Sequence, residues 1–119
     1  MARLVLLNAL PLNIFGDVKR VCLIIEKISI DDLKRLVRNR DVACYIRHAS
    51  TVKVLSDALG IELRISNSVY RYAVGDDIVV VVLRKPVRGQ EVEVSISDLE
   101  LFRVRIDAID FGGYVWVVA

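Results

Sequence analysis

"DIVVVVLR", residues 77–84, decides how the rest of this chain is read. It has the length of a strand and is rich in β-branched residues, which favour extended backbone. It also lacks the polar-apolar alternation of a strand with one wet face. A strand that is apolar on both sides needs cover on both sides, so this one belongs in the middle of a sheet. Gly75 and Asp76 supply a turn before it, and "KPVRGQ" (85–90) supplies another after it.

Outward from that strand, "RLVLL" (3–7) reads as a second buried strand, and "NALPLNIFGD" (8–17) as the loop that leaves it. "KRVCLIIEKI" (19–28) and "VACYIR" (42–47) are two more strands. Between them, "SIDDLKRLVRNR" sets Ser29 three residues before Asp32, the spacing of a capping box, and Leu33, Leu36 and Val37 continue at helical spacing. A second helix should start with Ser50 or Thr51 as its cap, bury Val52, Leu55 and Leu59, and stop at Gly60. A short strand is expected around Val69–Tyr72. "EVEVSI" (91–96) alternates like an edge strand, and "LFRVRIDAIDFGGYVWVVA" (101–119) holds one or two strands more. Residues 1–119 therefore predict a single α+β domain, a mixed β-sheet flanked by helices.

Composition narrows the function. Hydrophobic residues make up 55% of the 119, which argues against disorder. No apolar run approaches the roughly 18 residues that span a bilayer, so no membrane partner is expected. "MARLVLLNALPLNIF" is interrupted by Asn8, Pro11 and Asn13 and is read as strand and loop, not as a signal peptide. The location expected is cytoplasmic. Cys22 and Cys44 stand apart and the chain has one histidine, so structural zinc is excluded and no cofactor is implied. The thiols are expected to be free, a disulfide between them being the alternative open to an intracellular protein of a hyperthermophile. The net charge of +2 is too small to mark a long nucleic acid as partner. Residues 19–53, however, hold nine Lys/Arg against four acids, and a basic segment of this kind attracts phosphates or is simply a solvated helix face.

Three stretches carry chemistry. In "YIRHASTV" (45–52) the only histidine, His48, lies where a strand gives way to a helix. A helix start directs unpaired N–H groups and the positive end of its dipole at one point, so an anion can bind there, with Ser50 and Thr51 beside it. Histidine titrates near neutrality and can act as an acid at such a place, or it can be an ordinary surface residue. Asn8 and Asn13 in "LLNALPLNIF" can donate to a phosphate or a base edge, or cap turns. Arg84, Lys85 and Arg88 cluster just past the central strand, where charge can stabilise a pentacovalent phosphorus.

Taken together, "LLNALPLNIF", "HAST" and the long apolar strand ending in basic residues resemble the viral ring nuclease family that disarms type III CRISPR immunity. The resemblance covers most of the chain. It implies a symmetric homodimer that binds cyclic tetraadenylate across its interface and cuts it without metal, in the host cytoplasm if the chain is viral. It also implies that Asn8 and Asn13 line the ligand site, that His48 is the catalytic acid, and that Ser50 and Thr51 contact phosphate or ribose. Arg84 or Lys85 would take the place of the family's arginine, with Arg88 nearby. The family's glutamate, about three residues beyond that arginine, has no counterpart: Val87 and Arg88 stand there, and Glu91 is the nearest acid further on. Two other readings stay open: a protein that binds a cyclic oligoadenylate or nucleic acid without cutting it, and a viral structural or interaction protein.

Overall fold

A β-branched core strand flanked on both sides is what the computed structural model shows; it describes residues 3–84, 94–113 and 115–117. Strands β1 (Leu4–Leu7), β2 (Arg20–Ile28), β3 (Val42–Cys44), β4 (Asp77–Leu83) and β5 (Leu99–Asp110) form a mixed sheet in the order β2-β5-β4-β1-β3, and β6 (Val115–Val117) pairs with the far end of β5. β1 is parallel to β3 and β4, whereas β5 is antiparallel to both β4 and β2. β6 is antiparallel to β5 as well, so five strands run one way and β5 runs against them. Helices α1 (Ile30–Val37) and α2 (Ala49–Leu59) make the crossovers that parallel strands require.

Alternation along the strands sorts the core into two layers. Leu4, Leu6, Val79, Val81 and Leu101 pack beneath Leu33 and Val37 of α1 and Val52 and Leu55 of α2. Val5, Leu7, Ile78, Val80 and Val104 point to the other face, where Ile14 and Tyr70 cover them from loops. Ile78–Val81 are buried, each contributing about 1.5–3 kcal/mol of burial. Val82, beyond the covering loops, is 38% exposed.

Local signals explain the elements. Ser29 Oγ accepts from the Asp32 amide and the Asp32 carboxylate accepts from the Ser29 amide, completing the expected capping box. Gly60 ends α2 with φ +69°, a left-handed conformation that glycine adopts without strain. Other expectations fail. β3 stops at Cys44 because the chain lifts off to enter α2 after a single further bond, Tyr45 N–H to the Leu6 carbonyl. Val69–Tyr72 is not a strand. Tyr70 is drawn into the core instead, and the Tyr72 amide donates to the Ile14 carbonyl in the loop opposite. The predicted strand at 91–96 falls partly outside the described residues, and Val94–Ile96 lead into a 3-10 turn (Ile96–Asp98) closed by its own Ser95–Asp98 box. Both cysteines are free. They lie on β2 and β3, opposite edges of the sheet, four strand spacings or about 19 Å apart, so no disulfide can join them.

Candidate functional site

The C-terminal ends of the co-directional strands gather the residues that matter, as strand ends do in sheets that bind ligands. Asn8 follows β1, Tyr45–His48 follow β3, and Arg84 follows β4.

His48 itself caps α2. Ser50 and Thr51 were expected in that role, but they lie inside the helix, one and two positions past its first residue. Imidazole Nδ1 accepts from the Thr51 amide at 3.3 Å, doing what a serine or aspartate oxygen does at most helix starts. The same nitrogen lies 2.8 Å from the Thr51 hydroxyl. Thr51 is buried, and its hydroxyl can donate to a neutral Nδ1 or accept from a protonated one. The Thr51 hydroxyl can thus hold the ring in either state, with Nε2 on the side away from Thr51, whereas the bond from the Thr51 amide forms only to an unprotonated Nδ1. Ser50 is half-buried in the first turn.

A pocket of about 270 Å³ is lined by Asn8, Pro11, Tyr45, Arg47, Ser68 and Tyr70, among others; it takes in the residue before the cap but not His48 itself. Arg47 brings an exposed guanidinium into it, and the tilted Tyr45–Tyr70 pair, 5.1 Å between ring centres, supplies an aromatic wall. The sequence does not single out Tyr45, Ser68 or Tyr70 as lining residues, because Tyr45 follows β3 while Ser68 and Tyr70 lie between α2 and β4, and only the fold brings the two segments together. The wall is fixed from below. Tyr70 O–H donates to Asp76 Oδ2 at 2.6 Å, and Arg3 reaches Asp76 through two bonds of 3.0 and 3.1 Å while stacking 5.8 Å from the Tyr70 ring. Burial would raise the Asp76 carboxyl, but donors from Arg3, Tyr70 and the Ala73 amide outweigh it and hold the group below the ordinary carboxylate range. Burial, then the bond to Asp76, pushes the Tyr70 phenol well up.

Asn13 is exposed in the 3-10 turn Leu12–Phe15, and its backbone carbonyl accepts from Gly16. It does not line the pocket with Asn8. Arg84 stands apart as well. Leu7 pairs with Val80, so β4 outruns β1 and Arg84 lies about 10 Å beyond Asn8 along the strands. Its guanidinium pairs with Glu100. Lys85, Arg88 and Glu91 lie outside the described residues. One chain thus brings Asn8 together with Arg47 and joins His48 to Thr51, but it sets Arg84 in a separate cleft. Among the described residues, no three His, Cys, Asp or Glu side chains converge as a metal site would need, and no helix is long and apolar enough to cross a membrane.

A family model described as STIV B116-like matches residues 4–108. Among solved structures, B116 of Sulfolobus turreted icosahedral virus superposes with a TM-score of 0.70 at 16% identity, covering 87% of this chain and 98% of that one. At that identity the likeness speaks for the fold. No curated protein matches the chain.

Proposed function

Because the chain belongs to the STIV B116-like family, the family of the anti-CRISPR ring nuclease, we propose that it is a metal-independent phosphodiesterase acting on cyclic tetraadenylate. The observation that carries this reading is His48, fixed through Nδ1 at the start of α2 and next in sequence to the pocket of Asn8, Arg47, Tyr45 and Tyr70. A ribose 2′-hydroxyl already lies beside its own phosphodiester. Holding it in line for attack supplies much of the rate. The 2′-hydroxyl gives up its proton to solvent as its oxygen bonds to phosphorus, the bond to the 5′-oxygen breaks, and His48 in its protonated form donates a proton from Nε2 to that leaving oxygen. A 2′,3′-cyclic phosphate remains on the linear product. Arg84 or Lys85 stabilises the charge on phosphorus, and Asn8, Ser50 and Arg88 hold the ligand.

This reading includes a twofold dimer, in which Arg84 of one subunit completes the site built on His48 of the other. A ring with rotational symmetry suits such repetition. The surface that supports it is the sheet face opposite the helices, where Ile25 and Val82 flank Phe102 and are 56% and 38% exposed. Val82→Glu should leave a folded monomer by light scattering at micromolar concentration, with ring cleavage lost. A wild type that is itself monomeric, with and without ligand, removes the dimer from the proposal.

Incubation with labelled cyclic tetraadenylate in the presence of a chelator tests the activity. Linear product ending in cyclic phosphate is expected. Binding without product selects the non-cleaving alternative, which the aromatic wall and Arg47 also suit, and absence of binding selects a structural or interaction role.

A further inference from the structure

The cleft that holds Arg84 has a volume of about 280 Å³ and lies where β4 and β2 end and β5 begins, beside the start of α1. Arg84 is anchored there twice. Its backbone N–H donates to the Asp98 carbonyl at 2.8 Å, although the residue is already past the strand. Its Nε lies 3.1 Å from Oε1 of Glu100. Val82 pairs with Glu100 across β4 and β5, so Arg84, two residues on, projects from the same sheet face. The second carboxylate oxygen of Glu100 lies 3.5 Å from Lys27 Nζ on β2. The carboxylate is the most enclosed of the three, 28% exposed against 55% for Arg84 and 60% for Lys27. One acid fixed in the sheet therefore steadies two cations that overhang it, and the trio keeps a net positive charge.

We infer that Glu100 is a positioning residue: by engaging Nε of Arg84 it turns the two terminal amino groups toward an incoming phosphodiester. This role rests on the proposed part of Arg84 in ring cleavage. The competing account is a solvent-screened ion pair of three strands, worth about 0–1 kcal/mol of stability and nothing to the chemistry.

Glu100→Gln separates the two. Glutamine keeps the size and removes the charge. The site then becomes more positive, so binding of cyclic tetraadenylate should tighten, about two- to fivefold and more at low salt. The guanidinium is no longer held in place, so the single-turnover rate should fall by roughly 10–30-fold. Glu100→Asp restores the charge on a shorter arm. Its binding should return to the wild-type value, with a rate between the other two. Binding and rate moving in opposite directions is the expected result, with melting temperatures within a few degrees of each other. Equal rates for wild type and Glu100→Gln, or binding and rate falling together with the melting temperature, overturn the positioning role alone. A wild type that binds and cuts nothing overturns the ring-nuclease reading, and this role with it.

Discussion

Replacing His48 with alanine should slow ring cleavage by roughly 10²–10⁴-fold, the usual worth of a positioned acid. The same change should also cost stability, because the imidazole caps α2. Loss of a helix cap amounts to about 1 kcal/mol. The two effects can be pulled apart with His48→Asn. Asparagine is among the best N-caps, so it should recover the melting temperature, but it has no proton to give at the 5′-oxygen and should stay as slow as alanine. Binding should survive in both variants, since Asn8, Arg47 and the tyrosine wall do not depend on the imidazole. If asparagine restores cleavage along with stability, His48 is a cap and nothing more, and another group protonates the leaving oxygen.

A second large effect is expected far from that chemistry. Asp76→Asn should destabilise the fold by about 2–3 kcal/mol, because Arg3 and Tyr70 then face a neutral amide in place of a carboxylate that is 7% exposed. For a domain of this size the melting temperature should drop by roughly 10 °C. The sign of the pH dependence follows from the lowered carboxyl. The contribution is fully present above the ordinary carboxylate range and is lost as pH falls through the lower, folded-state value. Wild type should therefore lose more stability than Asp76→Asn on acidification, and the two melting curves should converge. Parallel curves down to strongly acid pH would show that the fold does not hold the Asp76 carboxyl below its ordinary range. Tyr70 gives an independent readout: released from Asp76, its ring should loosen and the pocket wall with it, so ligand binding should weaken as well.

The strands were legible where burial wrote them plainly. Ile78–Val81 need cover on both faces, and they have it; the Ser29–Asp32 box is local and formed as its spacing demands. Reading failed where tertiary contacts decide. Tyr70 leaves a strand-like run because Asp76 and Tyr45 receive it in the core. His48 takes the cap from Ser50 and Thr51, since Thr51 is pulled inward by the packing of α2 and its amide then finds the imidazole. The motifs around Asn8, His48 and Arg84 pointed to the family that the chain belongs to. Their spacing could not show that Arg84 stands about 10 Å past Asn8, because that offset depends on how far β4 outruns β1. Nor could it reveal Glu100, which comes near Arg84 only through the antiparallel turn of the chain.

The single reversed strand also governs how this chain can assemble in time. β2 leaves the ribosome early, yet its ladder partner is β5: Ile28 waits for Leu101, and Cys22 for Ala108. β1 likewise waits for β4, as Leu4 pairs with Asp77. Only the β4–β5 and β5–β6 pairings join neighbours in sequence. Distant pairings must close large loops before any of them is repaid, so folding is slow and nucleates late, around the β4–β5 pair. Until β5 is synthesised, the apolar edge that includes Ile24 and Ile25 has no strand to lie against and is open to pairing with other nascent chains. Translation that stalls before residue 99 therefore releases a product in which β2 has no ladder partner, although β3, β1 and β4 can still pair.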